Sequence, residues 1–582
     1  GRYVLTVISI DRGDTISETI EISNPLRATI TTKDVCLAAG TNSGVLDIRN
    51  VQGGTPFSGI NVASQKWGLK KNGVYVQGPN GDIWGSTWYW SGNVNAGNYV
   101  LEIKDDVCTL EYPFTINSKA QRSVFVDGLN GSNSNSGVQS APYSSIQHAI
   151  NQACDRDTIF LLDGVITEDS IVVDKDIIIA SLYARDDDSS HIANTVVDGN
   201  NQEAVFYVNV KTNNWNQPSD TAYKKFIGFT IKNGLKYAGL GGGVNVTRGN
   251  IVFRRMNFVN NEGSNGGAIQ VNQDAGTILV DNSVFTENTA IQGSAFYARG
   301  GYFIIKRSRF VRNVASQHST VSFDNWCCGQ GGYVNDSKFY FNEAQYYPIG
   351  EWKNWIDGQP RTISKNNVAI GNKASSGSLL RIYSASSGEV VLNNWVIVDN
   401  QWPSYRAMIE YNWMILQLNH STVSNNKGGK LFSLGEEAKL YVTNSILEHS
   451  SDVLEVYSSQ TPTTTKTYFS HVAWNSATPS NGTHSHVNNI SLAGIYYADS
   501  SNGNYRLART ASVIGAGQAS ITMGNKTIVS TTKDVLGNSR PNPSGSNPDL
   551  GAYETVYLTP QVGINISVTN PTICDSLSGS VT

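Results

Sequence analysis

The densest chemistry in the chain lies between Asp324 and Asp357. Trp326, Trp352 and Trp355 stand there with Tyr346, Tyr347, Glu351 and Asp357, in a stretch with little strand alternation. Flat aromatic faces give apolar contact to the CH-rich faces of sugar rings, while carboxylates accept hydrogen bonds from hydroxyls. Trp402 and Tyr405, then Tyr411 and Trp413, extend the same composition. The expectation is a glycan-binding face built from Trp326, Tyr346, Tyr347, Glu351, Trp352, Trp355, Asp357, Trp402 and Tyr405. The competing expectation is that some of these rings pack inside the fold.

Catalysis asks for more. A polysaccharide lyase needs a cation or an equivalent to neutralise a uronate, plus a Lys, Arg or Tyr base. A glycosidase needs two carboxylates on one face, ~5–9.5 Å apart. Asp281 and Asp336 are the best carboxylates, but each occupies a position filled by Asn or a basic residue in neighbouring repeats. A structural turn is favoured, and no catalytic residue is assigned. Lys306, Arg307, Arg309 and Arg312 offer charge for a polyanion, but strand alternation spreads them and Asp281 lies one repeat from Lys306. A solvated salt-bridge ladder is expected.

Asp186, Asp187 and Asp188, with Ser189, Ser190 and His191, are a weak Ca²⁺ candidate, because clustered oxygens suit a hard cation. They lack the Gly and spaced oxygens of a calcium loop, so an exposed acidic loop is expected and no cofactor is assigned. No nucleophile elbow anchors the 8 histidines, and Gly239-Leu240-Gly241-Gly242-Gly243 lacks the Lys-Ser/Thr of a phosphate loop.

The elements that position these residues follow from composition. Lys+Arg number 43 and Asp+Glu 47, a net charge of −4 with 15% charged residues, too balanced for a nucleic-acid partner. No apolar run approaches the ~20 residues of a membrane span. Hydrophobic residues at 39% supply a core, and 55 Gly with abundant Ser, Thr and Asn point to β structure with tight turns.

Two kinds of repeat are visible. Gly1-Arg2-Tyr3 and Gly97-Asn98-Tyr99 each enter an alternating strand, an Asp turn and a second alternating strand. The tail 566–581 parallels 30–45 around Cys574 and Cys36. Short strands with Gly and Asn turns suggest an immunoglobulin-like sandwich over 26–118. Residues 1–25 would end one such module and 559–582 begin another. Cys36 and Cys108 would close a loop of about 70 residues. Cys327 and Cys328 are adjacent and could form a vicinal disulfide or stay reduced; Cys154 has no obvious mate.

Between about 119 and 558 the period changes. Strands ending in Asn recur at Asn261, Asn288, Asn313, Asn342, Asn372, Asn400 and Asn426, roughly 25–30 residues apart, with 445–450 as a degenerate last member. A right-handed parallel β-helix fits, its stacked coils burying one apolar column and its amides forming a ladder. A second column runs Asn282, Arg307, Asp336, Asn366, Asn394, His420 and Asn444. Residues 142–153 read as an amphipathic helix covering the first coil, with Ser144 as N-cap.

Two resemblances are nameable on these residues. Cys36, Gly53-Gly54-Thr55-Pro56-Phe57, Trp90, Gly97-Asn98-Tyr99, Asp105 and Cys108 together resemble the SprB repeat of Bacteroidota surface adhesins, with Phe57 in place of the usual Tyr. The middle, with Phe125-Val126-Asp127-Gly128 and Asp549-Leu550-Gly551-Ala552-Tyr553-Glu554, is similar to the pectin-lyase-like β-helix superfamily. The first resemblance implies a secreted, outer-membrane-associated surface protein used in gliding motility and adhesion. The second implies fold but not activity, since lyases, hydrolases and non-catalytic adhesins share it. The expected protein is a non-enzymatic adhesin segment whose partners are an extracellular polysaccharide or surface glycan and adjacent repeats of its own chain. A surface lyase or glycosidase and a purely structural spacer are the alternatives.

Overall fold

The computed structural model describes residues 2–8, 15–21, 27–33, 35–36, 44–52, 65–83, 90–104, 109–116, 118–119, 122–209, 224–236, 239–272, 275–325, 331–354, 362–384, 388–412, 414–435, 437–450, 453–456, 466–475 and 483–556. Its contacts divide the chain into two units, Gly1–Gly234 with Val246–Asn257 and Leu235–Asn245 with Phe258–Thr582.

In the first unit both Gly-x-Tyr runs open an antiparallel hairpin. Tyr3 pairs with Ile20 and Tyr99 with Phe114. The strands Thr109–Ile116, Gly97–Lys104, Gln65–Lys71 and Val74–Ile83 form a four-stranded sheet, and Arg27–Lys33, Gly44–Gln52 and Trp90–Val94 a three-stranded one. Ile48 and Val94 of the smaller sheet share a core with Trp67, Leu69, Leu101 and Ile103 of the larger. Two antiparallel sheets thus bury one apolar layer between them. Cys108 and Cys574 lie outside the described residues, as do Cys327 and Cys328. Cys154, to which the sequence offers no mate, is disulfide-bonded.

The helix Ile146–Gln152 buries Ile146, Ala149 and Ile150, the face its spacing predicts. Its N-cap is Ser145 rather than Ser144. Ser144 is held in the preceding turn, where its amide and hydroxyl both donate to Asn133 Oδ1. Ser145 Oγ accepts from His148 N at 3.1 Å, and the Glu168 carboxylate accepts from the amides of Ile146 and Gln147. From Val124 to Phe253 the strands pair in parallel, and Val124, Ile159, Ile179, Phe226 and Phe253 follow one another in register as a buried column.

The second unit is also built of parallel strands in register, coil upon coil. Phe258, Phe285, Phe310 and Phe339 stack with centroids 4.7–4.9 Å apart and planes within 12°. That separation is the inter-strand spacing of a sheet, so each ring sits face to face on the next. At the adjoining corner the side-chain Nδ2 of each ladder asparagine donates to Oδ1 of the next, from Asn261 through Asn288, Asn313, Asn342, Asn372 and Asn400 to Asn426, at 2.9–3.0 Å. The same Oδ1 atoms accept the preceding residue's backbone N–H, as Asn342 Oδ1 does from Asn313 N. No buried amide is left unpaired in this column.

The left-handed backbone explains the corners. Glu287, Arg312, Phe341 and Asp399, each just before a ladder asparagine, have φ of 52–58°. The second predicted column, Asn282, Arg307, Asp336, Asn366, Asn394, His420 and Asn444, is left-handed at every member. Non-glycine residues pay roughly 1–2 kcal/mol there, which is why Asn, whose side chain bonds locally, dominates. Residues 505–556 lie as a strap over the outer faces of the coils: Tyr505 and Ala552 pack with Val396 and Val398, and Leu550 with Ile446.

Candidate functional site

Four residues in consecutive register define the site. Ser322, Glu351, Arg381 and Glu410 pair in order across the strands Val321–Asn325, Gly350–Asn354, Leu380–Ser384 and Ile409–Asn412. Side chains alternate along a strand, so Trp352, next to Glu351, points the other way. Its ring stacks on Phe323 at 6.3 Å and meets Trp395 edge-on at 6.1 Å.

Glu351 is only 2% exposed, and both its oxygens are engaged. His318 Nδ1 is 3.1 Å from Oε2, and Arg381 Nη1 is 3.4 Å from Oε1. The Arg381 guanidinium also lies over the Tyr347 ring, 5.6 Å from its centroid. Burial pushes the Tyr347 phenol up to about 12, reinforced by Glu410 and Glu351 and opposed by Arg381. One coil on, Arg406 Nη1 is 3.4 Å from Glu410 Oε1, and Arg406 Nε donates to Ser376 O. Tyr346 is half-buried between the rings of His318 and Tyr347. Tyr405 is 69% exposed, with the Arg406 guanidinium 5.8 Å from its ring.

The expected aromatic platform is therefore corrected. Trp352, Tyr347 and Trp402 are buried, because alternation or the coil corner turns them into packing. Trp402 stacks on His449 at 5.5 Å and donates its indole N–H to Arg406 O. Tyr411 is buried likewise. Of the expected face, Tyr405 is exposed, Tyr346 half-buried, and Glu351 buried inside an ion network. Trp326, Trp355, Asp357 and Trp413 lie outside the described residues. His318, Arg381, Arg406 and Glu410 were missed; the signal was register, since Glu351, Arg381 and Glu410 follow at one-coil intervals.

The other candidates are accounted for by local bonds. Asp281, the best sequence candidate for catalysis, is held by two nitrogens of Arg307 at 2.7–2.9 Å rather than by Lys306, its register partner. Asp336 accepts from Asn366 Nδ2. Arg312 sits 3.7 Å from Glu287. Asp186 and Asp188 accept backbone amides within their own turn, and His191 bridges Asp186 and Asp163. Among the described residues no three His, Cys, Asp or Glu side chains converge as cation ligands.

Parallel register across successive coils decides the architecture. The chain carries a parallel β-solenoid. No protein-family model matches the sequence, and no curated protein does. Among solved structures it is similar to pectate lyase Pel9A (17% identity, TM-score 0.41, over 75% of this chain and 97% of that one). It is also similar to XylC in complex with xylose (9%, 0.34, 75% and 98%) and to the catalytic domain of a GH87 α-1,3-glucanase in complex with nigerose (11%, 0.27, 84% and 98%). Among the described residues no helix is long and apolar enough to cross a membrane.

Proposed function

We propose that this chain is a non-enzymatic segment of a large secreted cell-surface adhesin, and that the outer face around Glu351 holds a glycan. The observation that carries this reading is a run of planar, hydrogen-bonding groups on successive coils, from His318 and Tyr346 through Arg381 to Arg406 and Tyr405. Such groups suit hydroxyl-rich rings, with Tyr405 as the open stacking surface. Both guanidiniums already face a carboxylate, Glu351 or Glu410, so a neutral glycan is favoured over a uronate. The two antiparallel sheets of 27–116 are read as an immunoglobulin-like repeat of the SprB type, with partial copies at 1–25 and 559–582, serving as a stalk in adhesion and gliding. A glycan array tests the reading. Binding to neutral glycans that falls at least tenfold in Tyr405→Ala supports it; binding unchanged by Tyr405→Ala and Arg406→Ala together defeats it.

One observation favours a second reading, a surface glycoside hydrolase or lyase of the β-helix type. Glu351 and Glu410 flank Arg381, two strand spacings or about 9.5 Å apart at the backbone, close to the separation used in inverting hydrolysis. Against it stands the burial of Glu351 between two basic partners, which leaves neither oxygen for a substrate. Release of reducing or unsaturated ends from a polysaccharide panel, abolished by Glu410→Gln, would establish it.

A further inference from the structure

His420, sixth of the seven residues of the left-handed column, sits at a seam. Asn394, His420 and Asn444, on three successive coils, each bond to the strap: Asn394 Nδ2 to Lys533 O, His420 Nε2 to Ser530 Oγ at 2.6 Å, and Asn444 to both backbone groups of Gln518. Two of the three are amides that never titrate. His420 does, and it is fully buried.

Its tautomer is fixed by its neighbour. Asn444 Oδ1 accepts from Gln518 N and its Nδ2 donates to Gln518 O, so the amide cannot be flipped. Asn444 Nδ2 also lies 3.1 Å from His420 Nε2, which must then be an acceptor without a proton. The imidazole proton is therefore on Nδ1. Adding a second proton at Nε2 would set N–H against N–H inside a buried seam.

We propose that His420 is an acid-sensitive latch: protonating its imidazole converts the acceptor facing Asn444 into a donor and undocks residues 517–556 of the strap from the coils.

Charges of both signs surround it, and the cation is the one that tells on His420. The strap brings Arg540, whose guanidinium bonds Glu554, Asn394 and Thr531 and disfavours a second cation nearby. It also brings Asp534, Asp549 and Glu554, whose oxygens accept backbone amides and Arg540. Burial first, then Arg540, holds His420 well below its ordinary value, with the carbonyls of Asp549 and Gly551 acting the other way. A lowered folded value means that the undocked imidazole takes its proton first, at pH about 6.5, so docking weakens roughly tenfold per pH unit below that. Glu554 works oppositely. Burial raises its carboxyl, so it favours the docked state at low pH and loses that effect as pH rises. Acid release therefore cannot come from Glu554.

Amide hydrogen exchange on the full chain between pH 7.5 and 4.5, corrected for intrinsic rates, tests this at Gln518, Gly551 and Ala552, whose N–H groups bond across the seam. Wild type is expected to lose protection about tenfold per pH unit below 6.5. His420→Asn, which installs the amide of the flanking coils, is expected to stay protected. Equal acid loss in wild type and His420→Asn overturns the proposal, as does protection in wild type that persists to pH 4.5. Should His420→Asn fail to dock at pH 7.5, His420→Gln carries the same comparison. Ser530→Ala, which keeps the titrating ring, must retain the acid loss.

Discussion

Asn313 Nδ2 lies 2.9 Å from Asn342 Oδ1, and that same oxygen accepts the Asn313 backbone N–H at 3.0 Å. One carbonyl thus closes both donors of the coil before it. Because Asn313 accepts the equivalent pair from Asn288, the chain of amides has no free end within the column.

Breaking one rung strands groups on both sides. Asn313→Ala orphans Asn288 N and takes one partner each from Asn288 Nδ2, Phe285 O and Asn342 Oδ1, the last keeping the backbone N–H of residue 313. The one buried orphan costs about 1–3 kcal/mol and each of the other lost bonds about 0.5–1.5, so a loss of at least ~3 kcal/mol is expected. Urea unfolding followed by circular dichroism reads it; a change below 1 kcal/mol would mean the ladder is ornamental.

The stacked rings can be tested apart from the amides. Phe310→Ala removes a fully buried ring held between Phe285 and Phe339. The expected cost is about 3–5 kcal/mol, and Phe310→Leu should recover more than half of it.

The ion network predicts a smaller effect. Arg381→Ala removes one partner of buried Glu351, but Arg381 is itself 36% exposed and His318 remains. About 2 kcal/mol is expected, below the ~3–5 of a wholly buried pair. Replacing Glu351 and Arg381 together by Gln and Met should cost less than Arg381→Ala alone, a comparison that thermal unfolding settles.

At the other end, Glu168 caps a helix from a distance, accepting from Ser145 Oγ and the amides of Ile146 and Gln147. Glu168→Ala should destabilise by ~1–2 kcal/mol and raise exchange at Ile146 and Gln147 first. Glu168→Gln should recover only part, since an amide offers one acceptor oxygen.

Period alone made the solenoid legible. The seven ladder asparagines and the left-handed column recur at the same point of each coil, and only one turn geometry repeats that way. The site was less legible because orientation, not residue type, decides it. Trp352 and Glu351 are adjacent in sequence yet belong to opposite faces, and no composition argument separates them. His318, Arg381 and Glu410 are ordinary residues until register sets them beside Glu351. Ser144 and Ser145 were equally good caps until Asn133 claimed the first. Asp549 and Glu554, noticed only as part of a resemblance, anchor the strap's backbone.

Successive rungs of the amide ladder are separated by 27, 25, 29, 30, 28 and 26 residues, yet every rung has the same length. The slack is taken up elsewhere along each circuit, so perimeter and rise are independent quantities. Evolution can therefore lengthen or trim any single lap to sculpt a local surface, whereas removing one corner residue would put every later storey out of step.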